Sequence, residues 1–145
     1  MRLNRVRAIM AAGIMALAGT TTAAVLAAGP ASASSSQVVV VNCGQGQVRP
    51  AKYDIGCMPS QEFLAQLRWT SWRSVAFGSG VLKVNNCTPT CAQGRYLKYP
   101  VLTVLWRARP WPKHAGRQYF SRLTLIFTGK RPGHVAVTQT ITLPG

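Results

Sequence analysis

Residues 69–94 read WTSWRSVAFGSGVLKVNNCTPTCAQG, and this stretch decides the fold. Two tryptophans, Trp69 and Trp72, lead into a run in which Ala76, Gly78 and Gly80 line one face of an extended chain and Val75, Phe77 and Val81 the other. That period of two belongs to a β-strand. Glycines inside a strand mark a bulge or a close approach to the backbone, and an aromatic ring of the same domain, rather than a bound ligand, is expected over the row. If the chain stays extended through the tryptophans, Trp69 and Trp72 fall on opposite faces. The stretch closes on Cys87 and Cys91, near enough for a turn through Thr88, Pro89 and Thr90 to join them.

Upstream, residues 60–66 fit either a short helix capped by Ser60 or the start of a strand. The alternation of Phe63, Ala65, Leu67 and Trp69 with Leu64, Gln66 and Arg68 favours the strand. Residues 44–59 hold three glycines and two prolines and read as loop, with Tyr53 and Ile55 as inward anchors. The four valines within residues 37–42 describe a short strand buried on both faces. Downstream, residues 95–107 form the longest strand candidate, with Tyr96, Leu102, Val104 and Trp106 on one face and Leu97, Tyr99, Val101 and Leu105 on the other. Pro100 marks an edge, a bulge or a break within it. Residues 118–128 place Tyr119, Leu123, Leu125 and Phe127 inward, and residues 134–143 place Val135, Val137, Ile141 and Leu143 inward. Trp69, Trp72 and Trp106 are assigned to the core.

Six or seven short strands without a convincing helix make an all-β domain, an antiparallel sandwich or small open barrel. In a meander, the basic loops at 108–117 and 129–133 lie at opposite ends of the sheet and do not form one patch.

The chain opens with MRLNRVR, an apolar run and then Ala31-Ser32-Ala33, the layout of a secretory signal peptide. Thr20, Thr21 and Thr22 interrupt the apolar run, which favours cleavage over a membrane anchor. Residues 1–33 are therefore read as a signal peptide, 34–36 as a flexible lead and 37–145 as a single secreted β domain, extracellular or wall-associated. All four cysteines follow the signal, and an even number in a small exported domain reads as a disulfide framework. Four cysteines allow three pairings; local geometry favours Cys43 with Cys57 and Cys87 with Cys91. The spacing has no CxxC and neither histidine lies near a cysteine, so no metal site is expected.

Leu67 to Trp72, the small residues Ala76, Gly78 and Gly80, the segment from Asn86 to Gly94 and Tyr99-Pro100-Val101 resemble a group of small exported actinobacterial proteins with the pattern W-x-x-W, A-x-G-x-G, N-C-T-P-x-C-A-x-G and Y-P-V. The resemblance implies a secreted origin and a shared fold, and it carries no catalytic residue across.

Three of the 17 lysines and arginines fall within residues 1–33, and the only acids are Asp54 and Glu62, which leaves a net charge of about +12. That balance favours polyanionic neighbours. A two-carboxylate hydrolase would have only Asp54 and Glu62 to use, and no serine sits in a nucleophile motif beside His114 or His134. No enzymatic activity and no cofactor are expected. The leading expectation is a binding module for anionic wall polymer or membrane surface, with Trp111 held between Pro110 and Pro112 as an exposed aromatic among Arg107, Arg109, Lys113 and Arg117. Nucleic acid suits this chemistry but is not a partner an exported protein would meet routinely. The alternatives are a protease inhibitor presenting a disulfide-braced loop and a structural wall-associated protein. With Trp111 on the surface, its removal would leave stability nearly unchanged.

Overall fold

The structure is a computed structural model that describes residues 37–57 and 61–145. The expected signal peptide, the flexible lead and Ser60 lie outside the described residues. Eight strands form among those described: β1 (Val40–Asn42), β2 (Gln45–Gln47), β3 (Tyr53–Asp54), β4 (Glu62–Trp72), β5 (Ala76–Asn85), β6 (Tyr96–Pro110), β7 (Gln118–Phe127) and β8 (Thr138–Thr142). Strands β3 to β8 pair antiparallel in chain order as one six-stranded half-barrel sheet. Strands β1 and β2 make a separate hairpin, turned at Cys43 (φ 50°) and Gly44 (φ 83°). Two successive positive φ values match the twist of tight hairpin turns, and glycine adopts them without steric cost.

Both expected disulfides are present. Cys43–Cys57 ties the hairpin turn to the end of the β3 segment, and Cys87–Cys91 closes the connection between β5 and β6.

Strand β1 is buried on both sides, as its valines require. Val40 enters the main core beside Leu64, Leu105 and Leu123, while Val39 and Val41 form a second cluster with Trp111. The strand docks where β8 has ended. The last paired residue of β8 is Thr142, opposite Arg122; farther along β7, Val39 donates its N–H to the Gln118 carbonyl at 3.0 Å and accepts from Phe120 at 2.9 Å. Backbone groups of β7 that β8 does not reach are thereby satisfied.

Strand β4 departs from a single alternation. Its pairing with β5 gains one extra residue between Ala65 and Arg68, where Gln66 has φ 54°, and another between Trp69 and Ser71. Each extra residue reverses which side chains face the core. Leu64 points inward before the first bulge and Leu67 after it. The second bulge corrects the expectation that Trp69 and Trp72 face apart: their rings meet edge to face at 4.8 Å, and Trp72 continues onto Phe120 at 5.6 Å. Trp69 then covers the small-residue row, and a Cβ on Gly78 would sit 2.8 Å from its ring and 2.8 Å from the Arg68 carbonyl oxygen.

Pro100 does not break β6. It pairs with Val81 of β5, and its carbonyl accepts from the Thr128 N–H at 3.2 Å. In an antiparallel strand a residue's nitrogen and carbonyl point to the same neighbour, so the missing donor faces β7 just where that strand runs out.

Three inward assignments are corrected. Trp106 lies on the outer face and is 37% exposed, because the other side of β6, with Val101 and Leu105, faces the core. Beyond it Arg107 adopts φ 59°, which turns the ribbon so that Phe120 enters the main core fully buried while Tyr119, expected there, borders the Trp111 cluster. Val137 is exposed because residues 134–137 remain a loop: His134 takes φ 64°, and the Arg131 guanidinium donates to the Val135 carbonyl at 2.8 Å. Leu123, Leu125 and Phe127 are buried as expected.

The contact between Trp69 and Gly78 sets a test. Gly78→Ala is expected to cost about 1 to 3 kcal/mol through overpacking, read as a lower urea midpoint at unchanged slope. Ser79→Ala, one residue along on the exposed face, should stay within about 0.5 kcal/mol of the parent.

Candidate functional site

The loop from Pro110 to Gln118 folds back on itself. Trp111 donates its N–H to the Arg117 carbonyl at 2.9 Å, His114 to Trp111 at 3.1 Å and Arg117 to His114 at 3.1 Å. This closed turn lays the indole over β1 and β2, against Val39, Val41 and Tyr119, with Gly46 beneath it, where a Cβ would come within 2.7 Å of the ring. The His114 imidazole stacks on the indole at 3.6 Å and 20°, and the Arg117 guanidinium lies 4.9 Å from its centre. Trp111 is 7% exposed and has no open face for a ligand, which corrects its assignment to the surface. Indole burial against two valines outweighs the stiffness that the flanking prolines give the loop. Arg107, Arg109, Lys113 and Arg117 remain exposed around it, so the expected site keeps its cations and loses its aromatic platform.

The exposed aromatic is Trp106, on the outer face of the sheet. Strand register places Phe77, Val104, Thr124 and Thr140 in one row, Ser79, Leu102, Ile126 and Thr138 in the next, and Trp106, Arg122 and Thr142 in a third. Phe77 is 50% exposed and Leu102 45%, with Val104 and Ile126 half-buried between them. Trp106 is held in place: its indole N–H donates to Thr124 Oγ1 at 3.0 Å, and Thr124 shares a further hydrogen bond with Thr140 at 3.0 Å. Arg122 donates to Thr142 alongside. Next to these rows the first β4 bulge opens a shallow depression of about 590 Å³, lined in part by Gln66, Arg68, Ser79, Val81, Pro100 and Leu102.

Arg68, Lys83, Lys98 and Arg122 border this face, and Lys83 stands directly across from Lys98. Like charges facing each other across a pair repel unless anions lie close by. Among the described residues the one carboxylate ion pair is Lys52 with Asp54, at 2.8 Å.

The two carboxylates do not assemble into a site. Asp54 pairs with Phe63, the residue after Glu62 on β4, so the two acid side chains leave the sheet on opposite faces. Burial pushes the Glu62 carboxyl above its usual range and raises the Tyr53 phenol to about 12, the latter donating to the Val41 carbonyl at 3.2 Å. His114 and His134 lie in the loops at opposite ends of β7. Among the described residues no group of three histidine, cysteine or acidic side chains gathers as a metal site. Of the two segments an inhibitor could present, the Thr88-Pro89-Thr90 turn is exposed between its cysteines, and residues 45–56 are partly taken up by β2 and β3.

Periodicity had placed Leu102, Val104 and Trp106 on one face of β6. What it lacked was a sign for which face the core would take, since both carry large apolar residues.

Trp111→Ala is expected to lower stability by about 3 kcal/mol or more, in the range of buried aromatic truncations, whereas Trp106→Ala should cost about 1 kcal/mol or less; paired denaturant titrations read the difference. Glu62 sets a pH test. Its folded pKa exceeds the ordinary 4.5, so the folded state holds this proton more tightly and loses stability as pH rises through that region. Glu62→Gln should therefore match the parent in melting temperature at strongly acid pH and exceed it at neutral pH.

No protein-family model, curated protein or solved structure matches the chain.

Proposed function

We propose that this protein is an exported, non-enzymatic binding module for anionic polymers or surfaces of the cell envelope. The observation that carries the reading is the imbalance of charge: 17 basic residues in the chain against Asp54 and Glu62, one of which is already paired with Lys52. Cations remain at the surface both on the outer face and around the Pro110–Gln118 loop, so an extended anion would find contacts along the molecule rather than in one pocket. Such a distribution suits salt-dependent attraction with little discrimination by sequence or linkage. Two disulfides fit an oxidising, extracytoplasmic setting.

Retention of the oxidised protein on isolated cell wall, before and after chemical removal of the wall's phosphate polymers, tests the reading across a salt series. Retention that falls steeply with salt and disappears with the polymers is the expected outcome. Retention insensitive to both, or none at low salt on any anionic surface, would overturn it.

A further inference from the structure

We infer that the outer face around Trp106, Phe77 and Leu102 docks on an anionic lipid bilayer; the inference rests on the polyanion reading above and narrows it to one kind of surface. Purely electrostatic capture needs cations alone. This face adds three large apolar side chains exposed by 37 to 50%, side by side on β5 and β6, with half-buried Val104 and Ile126 filling the spaces between them. An apolar platform bordered by Arg68, Lys83, Lys98 and Arg122 has the layout of an interfacial surface, whose centre enters the headgroup region while the rim meets anionic lipid.

Trp106 suits the interface chemically, because indole combines an apolar ring with a polar edge. Its hydrogen bond to Thr124 holds the ring in place before binding, so little side-chain freedom remains to be lost. Two other occupants fit less well. A sugar chain stacked on Trp106 calls for several planar polar side chains to receive its hydroxyls, and beside Trp106 there is one, Arg122, already donating to Thr142, with Val104 and threonines around it. A second copy of the chain would bring the same four cations against themselves, at a cost in repulsion.

Sedimentation of the oxidised protein with phosphatidylglycerol–phosphatidylcholine vesicles, with phosphatidylcholine vesicles and with immobilised dextran sulfate tests the inference. The parent should partition onto the anionic vesicles, not the neutral ones. Phe77→Ser combined with Leu102→Ser should lower that partition about tenfold while leaving retention on dextran sulfate unchanged. Trp106→Phe supplies a separate readout, since it keeps an apolar ring. Brominated lipid should quench the parent's tryptophan emission, and this variant should bind vesicles nearly as well while losing most of the quenching.

Vesicle binding indifferent to the apolar substitutions, with quenching retained in Trp106→Phe, would overturn the inference and leave the polyanion reading standing. Self-association abolished by Phe77→Ser and Leu102→Ser, without vesicle binding, would also overturn it, in favour of a second copy. Failure to bind vesicles and dextran sulfate alike would remove both.

Discussion

The four-valine segment that feeds β1 is the piece on which the concave side of the half-barrel depends. A curved sheet with an apolar inner face has to be filled from one side, and this chain fills it with its own strand. The backbone of that segment is satisfied by groups from across the fold. The Val38 carbonyl accepts from the Trp72 indole at 2.8 Å, Val39 exchanges hydrogen bonds with β7, and the Val41 carbonyl accepts from the Tyr53 phenol. Buried carbonyls left without such donors would be expensive. The aromatics therefore hold β1 through their polar atoms as well as filling space, and they couple strands far apart in sequence.

Much of this was legible in the sequence. Four adjacent valines indicate a strand without a polar face, and Val39, Val40 and Val41 are each almost fully buried, split between two clusters. Both disulfides, the strand nature of residues 62–72 and the ring over the glycine row followed from composition and local spacing. Two of the errors share a cause. The extra residue at Thr70 in β4 and the left-handed Arg107 in β6 shift or turn a strand by the equivalent of one position, and one position exchanges inside for outside. Neither residue is glycine or asparagine, so nothing local announces the change. The preference comes from tertiary packing, which gains the pair of Trp69 and Trp72 at one bulge and the burial of Phe120 beyond the other turn.

The exchange of roles between Trp106 and Trp111 follows the same logic. Proline on both sides and a ring of cations made Trp111 look like a presented aromatic, but its loop closes by three short-range backbone hydrogen bonds and lies beside the valines of β1. Trp106 had the alternation of a core residue on a strand with two apolar faces. A half-barrel filled from within uses only one of them, and the face left over carries Phe77, Leu102 and Trp106. Sequence pattern identifies such a face as apolar. Only the position of the filling strand identifies it as unfilled.

Charge and covalent bracing complete the picture. So many cations on a small domain repel one another and oppose the compact state. The two disulfides act in the other direction: loops with sequence separations of 14 and 4 restrict the unfolded chain by about 3 and about 2 kcal/mol on the chain-entropy view. An anion that binds the folded surface adds to this, since any partner preferring the native state stabilises it by mass action. Lys83 facing Lys98 is then a local cost, eased by the Phe63 ring 5.5 Å from the Lys83 ammonium, that the core around β1 and the two disulfides must carry and that an anionic partner of the proposed kind would offset. On the proposed reading, fold and binding would be linked at that point, because the repulsion that weakens the free protein is the one an anionic surface would relieve.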